Sequence, residues 1–248
     1  MNYRSVNIMP MAGEGKRFKE AGYKVPKPSI NINGQPMFIK SAKCMPEADL
    51  WIFIVKEKFL KDGSIKKEIS NNFENNKIIS IKETTNGQAS TCFLAKKYLE
   101  KNDRIFISSC DNYFEFDKRD FINKSNKYDA LVFTTKAEKV HTDNPKLFGW
   151  VTSDNKGSIE VSCKKQISSN IVQDRIIVGS FFFKNLNFFQ ESIESVFKKG
   201  NKINNEYYLD MAIIEAITLG LKVSEIIVKN YISWGSAEEL KNWEKKNN

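Results

Sequence analysis

Apolar positions fall in short runs that alternate with segments of helical period, and that alternation predicts the fold. Ser5–Met11 reads as a first strand, apolar from Val6 onward except at Asn7 and Pro10. Residues 51–55 form a continuous apolar run, as a strand covered on both faces requires. Residues 77–82 and Arg104–Ser108 read as two further strands. Helical patterns lie between them. Residues 37–44 follow the turn signal Asn33-Gly34, residues 56–73 carry Phe59, Ile65 and Ile69 on one side, and residues 88–101 place Cys92, Ala95 and Leu99 at helical spacing. This β-α-β-α-β-α-β order predicts a parallel sheet with helices on both faces.

The second half is more mixed. Residues 129–135, 147–153, 158–164 and 175–184 read as strands, with Asp154-Asn155-Lys156-Gly157 as a hairpin turn. Residues 187–199 and 207–219 read as helices; Leu209, Ala212, Ile213, Ala216 and Ile217 share one stripe. Residues 222–229 read as a strand and 236–246 as a closing helix, with Ser236 as N-cap and Glu239 completing a capping box. The expected fold is α/β, a Rossmann-like three-layer α/β/α with a mixed, mainly parallel central sheet and a small antiparallel insertion covering the site. Ligands of such sheets bind beyond the carboxyl ends of the strands.

The first strand runs into Gly13-Glu14-Gly15-Lys16-Arg17-Phe18 and then Lys27-Pro28. Two glycines allow a tight turn and a close backbone approach. Successive N–H groups in such a turn form an anion-binding concavity, and Lys16, Arg17 and Lys27 add cationic donors. The P-loop pattern fails, because one residue separates the glycines and no Lys-Ser/Thr follows. The dinucleotide fingerprint fails too, because Phe18 stands where the third glycine belongs. A bare G-x-G would read as a glycine turn with solvated lysines; the full spacing after a buried strand reads as a triphosphate cradle.

Gly13, Gly15, Arg17, Phe18, Lys27 and Pro28 match, one by one, a motif written G-x-G-x-R-[FLM] followed by Lys-Pro. In this the chain resembles the nucleotidyltransferases that activate phosphorylated sugars and alcohols. The resemblance implies a single domain over 1–248, with a nucleotide-binding half to about residue 128 and an acceptor-binding half from about 129. It implies Mg²⁺ as cofactor, with Asp111 after the fourth strand as its ligand. It also implies that Arg17 and Lys27 are catalytic, and that Met11, Ala12, Gly13, Glu14, Gly15 and Lys16 bind the nucleotide. Thr85-Asn86-Gly87-Gln88-Ala89-Ser90 resembles the base-reading segment, so Gly87, Gln88 and Ala89 join them. A second metal aspartate is expected two residues before a Gly-Thr. Here Ser233 holds that place before Gly235-Ser236, so a second ligand would come from elsewhere, such as Asp210 or Glu206.

On the acceptor side, the resemblance points to Gly149 after Lys-Leu-Phe and to Lys164 four residues before Ser168, with Cys163 where the family has glutamate. It also points to Gly179 and to Glu206 and Tyr207 in Glu-Tyr-Tyr-Leu-Asp. The implied reaction joins a nucleoside triphosphate, CTP or another, to a phosphorylated small molecule and releases pyrophosphate. The opening motif and short chain resemble cytidylyltransferases of cell-surface polysaccharide assembly; uridylyl or guanylyl transfer to a sugar 1-phosphate is the near alternative. A glycosyltransferase of similar fold would carry D-x-D, and Asp111-Asn112-Tyr113 lacks the second aspartate.

Composition narrows the partners. The net charge of +9 raises nucleic-acid binding. The lysines are spread along the chain among acidic residues, which describes a solvated surface that steers anionic substrates. No nucleic acid is expected. The four cysteines are scattered and the single histidine, His141, cannot build a zinc site with them. No apolar stretch is long enough to span a membrane, and the chain opens directly on its first strand, so a cytoplasmic protein is expected. Oligomeric state is open, a homodimer being one option.

Overall fold

A computed structural model describes residues 3–154, 157–168, 170 and 173–247. In chain order the elements are β1 (Ser5–Met11), α1 (Lys16–Glu20), β2 (Asn31–Ile32), β3 (Gln35–Pro36), α2 (Met37–Ala42), β4 (Leu50–Lys56), α3 (Ser64–Asn72), β5 (Asn76–Ile81), α4 (Gln88–Phe93), β6 (Arg104–Ser108) and β7 (Asn112–Glu115). They continue as α5 (Lys118–Lys127), β8 (Ala130–Lys136), α6 (Lys139–Asp143), β9 (Gly149–Ser153), β10 (Ile159–Cys163), β11 (Arg175–Phe183), α7 (Leu186–Lys199), α8 (Leu209–Thr218), β12 (Val223–Ile227), β13 (Lys229–Ser233) and α9 (Ala237–Asn247).

The main sheet runs β5-β4-β1-β6-β11-β8-β12. β5, β4, β1 and β6 are mutually parallel, and β8 pairs in parallel with β12. β11 runs antiparallel to both β6 and β8, and its first residues also pair with β9 of the antiparallel β9–β10 hairpin. The register of β11 shifts between Ile177 and Phe181, where Gly179 takes φ 80. The fold is the Rossmann-like three-layer α/β/α arrangement, with small antiparallel sheets β7–β13 and β2–β3 beside it.

The period of two along β1 builds the layers. Val6 and Ile8 enter a core with α4, α7 and α8; Met9 and Met11 enter a core with α2 and α3 on the opposite face. Asn7 is tolerated in this buried strand because its amide donates to the Pro46 carbonyl at 2.7 Å. A third cluster ties the opening turn to the end of the chain: Phe18, Ile30, Ile32 and Met37 pack with Trp234, Ala237 and Leu240. Among the described residues no helix is long and apolar enough to cross a membrane.

Several expected elements are corrected. The helix expected at 56–73 breaks up: Lys56 closes β4, Glu57–Leu60 is a 3-10 turn, and α3 begins only after Gly63. Asp62 and Gly63 stop the earlier turn, since Asp62 accepts from the Ser64 N–H at 3.0 Å and Gly63 takes φ 74. The helix expected at 88–101 is α-helical only to Phe93 and tightens to 3-10 over Leu94–Tyr98. The strand expected at 222–229 is β12 over Val223–Ile227; Lys229 already opens β13, which pairs in a different sheet. Lys164 falls outside β10 with φ 56. β7 follows Asp111 directly and pairs with β13. In the turn at 154–157, Asn155 and Lys156 lie outside the described residues; Ser153 pairs with Ile159 across it. Ser236 Oγ accepts from the Glu239 N–H at 3.2 Å as an N-cap does.

Candidate active site

The turn after β1 is shaped by two of its own residues. Gly15 takes φ 63, and a Cβ there would stand 3.3 Å from Lys27 Cβ, so the backbone of one signature residue passes against the side chain of another. Phe18 is buried and packs edge-on against Tyr23, which anchors α1 below the turn while Lys16 and Arg17 remain exposed. The turn opens on a cavity of about 640 Å³. Met11, Ala12, Gly13, Glu14, Gly15, Lys16, Arg17 and Lys27 line one side. Thr84, Thr85, Gly87, Gln88, Ser109, Asp111, Glu206 and Gly235 line the other.

Lys27 opens a 3-10 turn after Pro26, and its ammonium reaches across the cavity floor. Nζ donates to Asp111 Oδ2 at 2.5 Å and to the Gly235 carbonyl at 3.1 Å, and lies 5.2 Å from the Phe18 ring centroid. Burial pushes the Asp111 carboxyl up, but the Lys27 ammonium, with help from the Ser109 hydroxyl, holds it below the usual carboxylate range. Asp111 is thus an anion on the cavity wall. Its backbone carbonyl accepts from the Trp234 N–H at 2.8 Å, which brings the Ser233–Gly235 stretch beside it.

Gly87 is pinned against the residues that lead into α8. The Tyr207 N–H donates to Asn86 O at 2.7 Å, and the Ala89 N–H donates to Tyr207 O at 2.9 Å. A Cβ on Gly87 would stand 2.6 Å from both Tyr207 N and Tyr207 O, and φ 111 is a backbone angle only glycine adopts freely. Thr85 and Thr91 hydroxyls each donate to Gly87 O at 3.0 Å.

The other residues expected on the acceptor side make contacts of their own. Gly149 lies against Asp210, whose Oδ2 would be 2.3 Å from a Cβ there. Burial pushes the Asp210 carboxyl up, against the pull of Lys164 and of the Cys163 thiol. Lys164 Nζ donates to Leu147 O and lies 5.0 Å over the Tyr208 ring. Gly179 backs Ser109: a Cβ there would stand 2.6 Å from Ser109 Oγ. Gly149, Lys164, Gly179, Tyr207, Asp210 and Ala89 do not line the cavity that holds Asp111. Asp210 therefore does not face Asp111 across that cavity. Glu206, the other carboxylate expected as a second ligand, does line the cavity with Asp111. Ser233 Oγ accepts from the Gly235 N–H at 3.2 Å.

Sequence reasoning missed the lysines around Glu14. Glu14 accepts from Lys56, from Lys58 at 2.8 Å, from Lys19 at 3.3 Å and from Thr84 Oγ1 at 3.1 Å. The one available signal was a lysine directly after a fully apolar strand.

Among the described residues no three His, Cys, Asp or Glu side chains form a metal cage. Beside the Lys27 ammonium, the groups at Asp111 that could serve as metal ligands are oxygens: its own anionic carboxylate, the Ser109 hydroxyl and the Gly235 carbonyl. That set fits Mg²⁺, which binds through one or two carboxylates together with substrate phosphates and water.

The profile of the nucleotidyl transferase family matches residues 7–210. No curated protein matches the sequence. Among solved structures, a nucleoside-diphosphate-sugar pyrophosphorylase from Vibrio cholerae RC9 superposes with TM-score 0.77 at 21% identity, over 96% of this chain and 99% of that one. The inositol-1-phosphate CTP transferase from T. maritima gives 0.69 at 17% identity, over 98% and 94%. HddC from Yersinia pseudotuberculosis complexed with GMP-PN gives 0.66 at 16%, over 99% and 100%. These likenesses show the fold. The match over residues 7–210, which contains the glycine turn, Lys27 and Asp111, shows the family: the chain is an enzyme of the nucleotidyl transferase family.

Proposed function

We propose that this nucleotidyltransferase transfers CMP from CTP to a small phosphorylated acceptor and releases pyrophosphate. The observation that carries the reading is one cavity bounded by the glycine turn, the Lys27–Asp111 pair and the Gly87–Gln88 segment. Backbone N–H groups of residues 13–17, with Lys16 and Arg17, would hold the β- and γ-phosphates. Gly87 and Gln88 would face the base, and the Gln88 amide offers both donor and acceptor.

The acceptor's phosphate oxygen is already anionic at neutral pH, so the chain needs no general base. That oxygen attacks the α-phosphorus in line, a new P–O bond forms, the bond to the β-phosphate breaks, and pyrophosphate leaves. Lys27 would stabilise the charge that builds on the α-phosphoryl oxygens. Asp111 would hold Mg²⁺, which when bound supplies charge neutralisation to the phosphates. Glu206 would meet the acceptor on the cavity wall, with Tyr207, Lys164, Gly149 and Gly179 shaping that side from behind.

For the acceptor we propose L-glutamine phosphate, giving CDP-glutamine, as in the phosphoglutamine cytidylyltransferases of capsule phosphoramidate assembly. A sugar 1-phosphate with UTP or GTP is the second reading; its support is the likeness to a sugar pyrophosphorylase and to HddC. The test offers each of the four triphosphates with Mg²⁺ and candidate phosphates, and reads pyrophosphate release and product mass. A CDP product supports the first reading and a UDP- or GDP-sugar the second. No pyrophosphate with any pairing that includes both acceptor classes counts against both.

A further inference from the structure

Glu14 is the wrong sign for its place. It stands between the two glycines of a turn whose proposed ligand is a chain of phosphates, and a carboxylate there repels that ligand. The structure shows what it does instead. Its carboxylate, half-buried, takes three ammonium groups and a hydroxyl from elsewhere in the chain: Lys19 from α1, Lys56 from the end of β4, Lys58 from the 3-10 turn after it, and Thr84 from the segment before Gly87. Lys56 is the telling partner. Its side chain is 3% exposed, and a buried ammonium needs a counter-charge. Its position follows from the parallel register of the sheet: Met11 pairs with Val55, so the residue after Val55 lies beside the turn that follows Met11.

We propose that Glu14 is a positioning residue, whose carboxylate ties the glycine turn to β4 through Lys56 and to the base segment through Thr84, and so sets the turn for the triphosphate tail. The tie costs one unit of repulsion toward the ligand and brings net positive charge with it, since three ammonium groups surround one carboxylate. This rests on reading the turn as a triphosphate cradle.

The two roles predict opposite signs. If Glu14 were only a nearby anion, Glu14→Gln would remove repulsion and tighten phosphate binding. If it positions the turn, Glu14→Gln loosens binding despite the gain in charge. Calorimetry with Mg²⁺–CTP and with inorganic tripolyphosphate, on the full chain, reads the sign. Glu14→Gln and Lys56→Met are each expected to weaken both ligands about tenfold to a hundredfold. The double variant should be no weaker than the weaker single, because both break one contact. CMP, which lacks the outer phosphates, should bind each variant much as it binds the unaltered protein, which general unfolding would not allow.

Glu14→Gln binding tripolyphosphate as tightly as the unaltered protein, or more tightly, overturns the role of Glu14 while leaving the cradle standing. Additive losses in the double variant overturn the Glu14–Lys56 tie. An unaltered protein that binds none of the four triphosphates overturns the cradle and this proposal together.

Discussion

Lys27 Nζ meets Asp111 Oδ2 at 2.5 Å across 84 residues of chain, joining the lysine expected to be catalytic to the aspartate expected to hold the metal. The pair places a cation and an anion at the floor of one cavity, so each residue's absence changes the other. Lys27→Ala and Asp111→Asn are each expected to lower turnover about 10²–10³-fold, the size seen for loss of a group that meets transition-state charge. Pyrophosphate release under saturating triphosphate measures it. Lys27→Ala turning over near the normal rate would remove the role given to that lysine.

The same pair makes a pH-dependent contribution to stability. The Asp111 carboxyl is held below its ordinary value in the folded state. Its contribution is therefore fully present above the unfolded aspartate value, about 3.9, and is lost as pH falls through the lowered folded value. Asp111→Asn should cost roughly 1.5–3 kcal/mol at neutral pH. Urea titrations of the two proteins should converge only in strong acid. A constant difference from neutral pH down to strong acid would place the effect elsewhere.

Gly13 and Gly87 separate the two uses of glycine. A Cβ on Gly13 meets nothing within 4 Å, whereas one on Gly87 meets the Tyr207 backbone at 2.6 Å from a left-handed φ of 111. Gly87→Ala is expected to destabilise the fold by about 2–3 kcal/mol, from strain and overpacking together. Gly13→Ala should leave stability within about 0.5 kcal/mol. Thermal denaturation compares them. Any loss of triphosphate binding in Gly13→Ala then reports on the approach of the ligand rather than on folding.

The four cysteines are buried, and burial pushes the Cys44 and Cys110 thiols up to about 12. A thiol reagent at mildly alkaline pH should leave all four unmodified until denaturant is added, because the thiolate is the reactive form. Mass spectrometry of the alkylated native protein checks this, and prompt modification of Cys44 or Cys110 would contradict their burial.

His141 gives a second pH signature. Burial holds its imidazole below the ordinary histidine value, against the upward pull of Glu138 and Glu239, while Nδ1 accepts from the Glu138 N–H at 2.9 Å. The folded protein thus binds this proton less readily than the unfolded chain. Stability is full above about pH 6.5 and declines as pH falls through that value. In His141→Asn the decline that sets in below about pH 6.5 should shrink, measured as the urea midpoint.

The sequence by itself determined the layers and the opening turn. Burial sets local periodicity, and local periodicity is written in consecutive residues: Ser5–Met11 and Arg104–Ser108 are strands with the bounds their apolar runs predict, and Gly15 needs its left-handed φ whatever surrounds it. The tertiary structure alone decided which distant groups meet. Glu14 and Lys56, and Asp210 and Gly149, are brought together by sheet register and helix docking, to which no short stretch of sequence is sensitive. The broken helix at 56–73 shares that cause in part, since pairing with Ile81 of β5 keeps Lys56 in the sheet, while Asp62 and Gly63 break the rest locally. Periodicity states which face a residue turns inward; only the packed sheet states what it finds there.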